Sequence, residues 1–574
     1  MNTSPGIELG LFIGLLAVLN IPLGTHLYKV LDKEGKTVFD PILRPLENLT
    51  YKLCSIDRSK EQSWIEYAVS LLCFNFVGIL VSYLILRLQS ILPLNPEKIG
   101  PMAPHIAFNT AISFATNTNW QSYVPEKQVS YFAQMFGLAV PNFTSAATGI
   151  AAAAALVRGI VRTEMKTVGN CWVDLIRIHY YLLLPLSLFI AIILLSQGVP
   201  QNFNAYVSYI PLELKSSLAN LPVKLPQGPI ASQEAIKLLG TNGGGFLNAN
   251  CAHPYENPTP LSNFVEMLSI FLIPSALTYY FGLSCKKLGH GWSIWLTMTF
   301  CFLILTLSCF IFEQAGNPLF SSLGIKNQLN MEGKEMRFGI FDSSFFASVT
   351  TLASCGAVNS QHDSFQPLAG MIPLFNMGLG ELIFGGVGSG LYGILLFVIL
   401  SVFLFGLMIG RTPGYLGKRI GSYEIKMAVL ALMIQYVLIL GLSALALNSS
   451  WGTAALGNKG PHGLTEVLYA FTSTTENNGS AFGGLNATSK PFALLLGVAM
   501  FLGRYFVLIP ILAIAGSLAN QKRYASQTVF PTGGLLFIFV LGATIFLLAA
   551  LNFFPALTVG PILEHFMIGM GKSF

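Results

Sequence analysis

Charge is what this sequence has least of. Asp, Glu, Lys and Arg make up 10% of its 574 residues, while 53% are hydrophobic. That balance leaves no room for a sizeable soluble catalytic domain. A formal charge of +6 in so apolar a chain is no argument for nucleic acid, because basic residues here report topology first. Catalytic constellations are missing too: no nucleophile stands beside a candidate base, and two nucleotide-like strings fail. Gly388, Gly390 and Gly393 satisfy G-x-G-x-x-G, but no strand precedes them and the context is apolar. LDKEGKT (31–37) contains GKT, yet a phosphate loop needs glycine where Val30 stands, so Asp32 reads as a loop acid. The eight cysteines are scattered, several in apolar runs (Cys73, Cys301, Cys309), and no pair has zinc spacing; they read as small buried hydrophobes. His253 and His290 lack partners at metal spacing. The first apolar segment, GIELGLFIGLLAVLNIPLG, has no basic n-region and no evident cleavage site, and it carries Glu8. It reads as an uncleaved span.

What the chain does have is apolar runs of about 20 residues, the length that crosses ~30 Å of hydrocarbon. About ten recur, near 6–25, 66–92, 128–157, 178–198, 260–284, 291–312, 366–410, 424–447, 491–519 and 530–553. The seventh is too long for one plain span and is rich in glycine. Basic residues sort the loops: Lys29, Lys33, Lys36, Arg44, Lys52, Arg58 and Lys60, then Arg158, Arg162, Lys166 and Arg177, then Lys286 and Lys287, then Arg411, Lys418, Arg419 and Lys426, then Lys522 and Arg523. If the spans alternate, these loops share one side, which the positive-inside rule makes cytoplasmic. Both termini then face outward. The fold class expected is an all-α integral membrane protein of about ten transmembrane helices.

The opposite side is built differently. Each of its four inter-span segments ends in a short, weakly apolar stretch and a polar turn: HIAFNTAISFATNTNWQSY (105–123), SQEAIKLLGTNGGGF (232–246), SSFFASVTTLASCGAVNS (343–360) and GLTEVLYAFTSTTENNGS (463–480). Stretches of this length suit re-entrant half-helices. The turns align at Thr118-Asn119, Asn242-Gly243, Cys355-Gly356 and Asn478-Gly479, with intervals of 124, 113 and 123 residues. A unit of helix, half-helix, turn and helix is therefore repeated four times. Each unit holds an even number of full crossings, so all four share one orientation and can surround an axis along the membrane normal. Irregular backbone cannot face lipid, but it can line a cavity or coordinate a dehydrated cation. Four such turns would aim rings of carbonyl oxygens inward, the geometry of a potassium-selective filter. Glycine would supply positive φ and space at Gly243, Gly356 and Gly479; Asn119, a residue type that tolerates the left-handed region, takes the fourth position. Thr and Asn side chains would brace the turns from behind.

The segments TNTNWQSY, TNGGGFLNANCAHPYENPTPLSNF, TLASCGAVNSQHDSFQPLAGMIPLFNMGLGELIFGGVGSGLYG and TSTTENNGSAFGGL resemble the four pore segments of the A subunit family of the Kdp potassium-transporting ATPase. RTPGYLGKRIGSYEIKMA (411–428) is similar to the linker of the wider Trk/Ktr potassium transporter superfamily. The resemblance covers essentially the whole chain. It implies a channel-like, non-hydrolytic subunit in a bacterial inner membrane. Such a subunit selects K+ from outside and hands it to a P-type ATPase B subunit, which alone binds ATP and Mg2+, with a C subunit and a small F peptide completing the complex. No covalent cofactor is expected, and membrane lipids are the remaining partners.

The filter candidates are the backbone carbonyls of Thr116, Asn117, Thr118 and Asn119; Thr241, Asn242 and Gly243; Ser354, Cys355 and Gly356; and Asn477, Asn478 and Gly479. Gln121 matches a family position that affects ion affinity, through direct contact or by holding the filter. Arg504 lies within FLGRYFVLIP and Arg411 ends the seventh span; a charge at membrane depth faces a cavity or a partner. The resemblance places both beneath the filter, where positive charge would impede leakage. NMGLGELIFGGVGSGLYG (376–393) predicts a broken helix whose loop blocks the cytoplasmic exit, with Gly378, Gly380 and Glu381 on the gate or ion path. The expected divisions are a first helix (1–30), pore repeats at 60–160, 175–285, 291–411 and 424–520, and a last helix with an outer tail (528–574). The competing readings are a free-standing Trk/Ktr-type channel or cation symporter, a non-transporting membrane scaffold, and an enzyme acting alone. A symporter of that class would lack TNGGGFLNANCAHPYENPTP and the glycine-rich seventh span, and a scaffold has no need of glycine at three of four turns.

Overall fold

The computed structural model describes residues 5–32, 36–210, 223–325, 329–410, 412–524 and 531–572. Lys33 and Arg411 lie outside the described residues. Among the described residues, ten helices are long and apolar enough to cross a membrane. The chain opens with α1 (Pro5–Leu31) and a short surface helix, α2 (Asp40–Leu53). Four units follow. The first is α3 (Trp64–Leu88), half-helix α4 (Pro104–Ala115) and α5 (Ala133–Val161). The second is α6 (Cys171–Ser196), half-helix α7 (Ile230–Leu239) and α8 (Pro260–Ser284). The third is α9 (Leu288–Gln314), half-helix α10 (Gly339–Leu352) and the broken pair α11 (Pro367–Gly378) and α12 (Ser389–Met408). The fourth is α13 (Ser422–Leu447), half-helix α14 (Gly460–Thr475) and α15 (Lys490–Ala519), and α16 (Leu535–Leu557) closes the array. Short antiparallel pairs, such as Gly414–Tyr415 with Lys418–Arg419, staple loops.

The half-helices have 12, 10, 14 and 16 residues. At 1.5 Å per residue they reach roughly 15 to 24 Å, short of a full crossing. Local chemistry starts the helices where expected: Ser63 caps α3 in a reciprocal box with Glu66, and proline occupies the first turn of α4 and α14. Lipid gives helices no hydrophobic reason to associate, so small residues let backbones approach. A methyl on Gly159 of α5 would lie 2.5 Å from the Ala515 carbonyl of α15, and one on Gly503 would strike the Thr475 carbonyl at the end of α14. The first contact joins the first and fourth units backbone to backbone, which closes the array, and the second seats the fourth half-helix on its own following helix.

Three boundaries move. α6 begins at Cys171 rather than near 178, and α5 runs to Val161 rather than 157, because the charges at these ends are consumed internally. Arg158 grips Asp174 at 2.6 and 2.7 Å, and its Nε lies 3.5 Å from Asp32. Asp32, in the turn after α1 as a loop acid, also accepts from Ser284 Oγ at 2.5 Å and Tyr280 OH at 3.1 Å, so it joins the edge of this charge network. The seventh span breaks between Gly378 and Ser389, where Gly380, Glu381, Phe384, Gly385 and Gly388 all take positive φ. Cys301 and Cys309 are buried as expected, whereas Cys73 is exposed on the outer face of the bundle.

Candidate functional site

All four half-helices end identically. The residue after the cap, Asn117, Thr241, Ser354 or Asn477, takes a left-handed conformation with φ of 70°, 47°, 51° and 55°. The next residue's N–H reaches five residues back, Thr118 to Ser113 at 2.9 Å, and Asn242 to Lys237, Cys355 to Thr350 and Asn478 to Ser473, each at 2.8 Å. This is the helix-ending motif that turns the chain sharply while satisfying one stranded carbonyl. Its spacing of 124, 113 and 123 residues is that of the aligned dipeptides. Each helix therefore aims its C-terminal end, with its partial negative charge, at the start of a turn.

The four turns meet in a closed cycle. Asn117 Nδ2 donates to the Thr241 carbonyl at 2.9 Å, and Asn242 Nδ2 returns to Asn117 Oδ1 at 2.7 Å. Cys355 Sγ donates to the Asn242 carbonyl. Asn478 Nδ2 donates to the Thr350 carbonyl at 3.2 Å, and Ser354 Oγ lies 2.6 Å from the Glu476 carbonyl. Asn477 Nδ2 closes the ring by donating to Thr118 Oγ1 at 2.9 Å, and Thr118 Oγ1 lies 2.8 Å from Thr116 Oγ1. The glycines show the same order. A methyl on Gly243 would stand 2.5 Å from Gly356 Cα, and one on Gly356 would stand 2.7 Å from the Asn478 carbonyl. One on Gly479 would strike the Thr118 carbonyl, and one on Gly244 would lie 2.9 Å from the Asn119 carbonyl.

Of the two reasons expected for the glycines, space holds at all three and positive φ needs correction at two. Asn119 (φ 58°) and Gly479 (φ 101°) do take positive φ, but Gly243 and Gly356 do not; the next residue, Gly244 (φ 68°), does. Gly243 and Gly356 are required by the close approach of neighbouring turns. Among the described residues, no protein donor reaches the carbonyls of Asn119, Gly243, Gly356 and Gly479. Asn119, Gly243 and Gly356 are buried and Gly479 is half-buried. A buried carbonyl without a donor costs on the order of kcal/mol. A dehydrated cation is the ligand that suits several such oxygens together.

Gln121 braces the mouth of the ring. Its Oε1 accepts from the Gly245 N–H at 3.0 Å, and its Nε2 donates to Tyr123 OH at 3.1 Å. Below the ring, the loop between α11 and α12 crosses close under the turns: the Val387 N–H donates to Thr241 Oγ1 at 2.9 Å, and Glu381 Oε1 lies 2.5 Å from Ser354 Oγ. Gly380, Glu381, Tyr392, Gln435, Asn477 and Arg504 share a cavity of about 20 Å3 beneath the fourth turn, the room of a single water. Arg504 Nη1 lies 3.4 Å from Tyr392 OH. Gly378 stands apart from these groups, against Phe553 of α16.

Glu476 is a residue the sequence reading missed. It caps α14, is 1% exposed, accepts from Gln435 Nε2 through Oε2, and leaves Oε1 without a partner among the described residues. The signal was available: an acid inside a pore half-helix segment is a functional candidate by position alone.

Comparison with known proteins agrees with this architecture. A family model described as the potassium-transporting ATPase A subunit matches residues 10–566. The potassium-transporting ATPase potassium-binding subunit of Methylacidiphilum infernorum is 99% identical over 574 residues, all of both chains. Those of Polynucleobacter asymbioticus and Solibacter usitatus are 50% and 51% identical, covering 99% and 100% of both chains. The crystal structure of the potassium transporter TrkH from Vibrio parahaemolyticus is similar in fold, with a TM-score of 0.53 at 14% identity, covering 89% of this chain and 98% of that one.

Proposed function

The chain belongs to the family of the potassium-transporting ATPase A subunit, and on that premise we propose that the ring of four turns is its potassium filter. It is the potassium-binding and translocating subunit of an ATP-driven uptake complex, a multi-pass protein of the bacterial inner membrane that hydrolyses no nucleotide itself. K+ is cargo, stripped of water at the carbonyls of 116–119, 241–243, 354–356 and 477–479. The observation that supports this most is the closed cycle of side-chain and backbone contacts around the four carbonyls that meet no protein donor among the described residues, those of Asn119, Gly243, Gly356 and Gly479. Four helix C-termini aimed at one point add a field that favours a cation. Na+ is smaller, and a ring pinned by amide bridges resists collapsing onto it.

In this reading Gln121 holds the mouth, the loop 379–388 obstructs the exit below the filter, and Glu381 and Arg504 sit at the start of a sideways path. The partners are a P-type B subunit that binds ATP and Mg2+, a C subunit and a small F peptide. Both termini lie outside, and the pore repeats run 60–160, 175–285, 291–411 and 424–520. The test is potassium-stimulated ATP hydrolysis by the purified complex carrying Gly243→Asp. The expected result is loss of the potassium dependence and of discrimination against Na+. An unchanged dependence and discrimination would remove the filter assignment.

A further inference from the structure

Behind the second turn lies a charge cluster for which the filter reading gives no role. Lys237, on the last turn of α7, is 1% exposed. Its ammonium lies 2.7 Å from Glu234, 2.8 Å from Glu256, 2.8 Å from Asn250 Oδ1 and 3.3 Å from Cys251 Sγ. Burying a lysine and two carboxylates strips each of its hydration, which only close pairing recovers. An apolar core would hold the half-helix as well, so the ions serve something else.

Their connections lead to the turn. Asn250 takes the Lys237 ammonium on its Oδ1 and donates its Nδ2 to the Gly244 carbonyl. Glu256 takes Lys237 on Oε2 and the Leu247 N–H on Oε1 at 2.7 Å. The Lys237 carbonyl itself accepts the Asn242 N–H at 2.8 Å. Lys237 therefore meets the turn on both sides of Gly243, through its backbone carbonyl before it and through its ammonium and Asn250 after it. Asn250 is held in a left-handed conformation, φ 56°, that points its amide at the filter arm. By turning the Gly244 carbonyl away, it makes Gly243 the last residue of this turn whose carbonyl is free of protein donors. Gln121 fixes the neighbouring Gly245 N–H from the other side.

We propose that Asn250, oriented by Lys237 and Glu256, is a positioning residue that sets cation discrimination by fixing where the second filter turn ends. This rests on the filter reading given above. Lys237 is a poor residue to change, because Glu234, Glu256 and the adjacent buried Glu266 would lose their counter-charge. Asn250→Asp keeps shape, left-handed tolerance and the acceptor for Lys237 but exchanges the amide donor. Asn250→Gly keeps the left-handed turn and deletes the side chain.

The experiment measures ATP hydrolysis by the whole complex against K+, Rb+ and Na+ concentration, with Gly243→Asp in parallel. In both Asn250 variants the half-stimulating K+ concentration rises at least tenfold while that for Na+ moves less, so the ratio between ions falls. A merely structural role would lower complex yield or thermal stability and leave that ratio alone. If either assembled variant keeps the parent's ratio, the inference is overturned. If Gly243→Asp also leaves the ratio unchanged, the filter reading fails; if only the Asn250 variants do, the positioning role alone fails.

Discussion

Replacing Gly243 by alanine isolates the closeness of the turns from every other property of the site. The residue's φ lies outside the left-handed region, so the backbone accepts alanine without strain. The added methyl meets only backbone: Gly356 Cα at 2.5 Å, N at 2.8 Å and C at 3.0 Å. Ordinary contact begins at 3.4 Å, so the second and third turns must part by about 0.9 Å, with no flexible side chain to yield instead. Overpacking of this kind costs ~1–3 kcal/mol. The overlap is relieved by widening the ring, so the cost falls on the bound ion. At tenfold per 1.4 kcal/mol it corresponds to a rise of roughly 5- to 140-fold in the half-stimulating potassium concentration. The assay is potassium-stimulated ATP hydrolysis by the assembled complex. Gly497→Ala in α15 serves as control, since its methyl would come no nearer than 3.5 Å to Phe108 and should leave the potassium requirement unmoved. A Gly243→Ala complex that assembles normally and responds to potassium like its parent would refute the contact explanation of this glycine.

Two further outcomes follow from the charge networks outside the ring. Arg158→Ala strands Asp174 in the interior and should cost ~3–5 kcal/mol, seen as a clear loss of thermal stability in detergent; stability within error of the parent would contradict the network. His462 stands between Asp363 at 2.7 Å and Glu564 at 2.8 Å; burial works against its imidazolium, but these partners prevail and raise its pKa to about 10. Its stabilising effect is therefore complete below pH about 6.5, declines across pH 6.5 to 10, and is gone above that. The melting-temperature gap between parent and His462→Gln should narrow over that window, and a gap independent of pH would contradict the assignment.

Much of this fold could be read before any coordinates, because two signals in it are strong. Apolar runs long enough to span a membrane are hard to mistake, and four polar turns at near-equal spacing share one register, which the positions of Asn117, Thr241, Ser354 and Asn477 reproduce. What escaped is what depends on contacts between distant segments. A glycine needed for left-handed backbone and one needed for closeness look alike in sequence, so both reasons attach to Gly243 and Gly479 alike, whereas in the structure only Gly479 needs the first. The helical start at Cys171 is hidden because Asp174 and Arg177 look like loop charges until Arg158 is seen beside Asp174 and Glu47 beside Arg177. Asn250 acquires meaning only through Lys237, which no local pattern links to it, whereas Glu476 is legible from its place in a pore segment and only its partner Gln435 is not.

The central claim is that four carbonyl-bearing turns bind one dehydrated cation at a time between them. A density map of the complex prepared in potassium, compared with one prepared in rubidium, tests it directly. An ion-sized peak is expected on the pseudo-fourfold axis, within coordinating distance of carbonyls from 116–119, 241–243, 354–356 and 477–479 and stronger in rubidium. Empty density between the turns in both salts, or a peak held by side chains elsewhere, would contradict it.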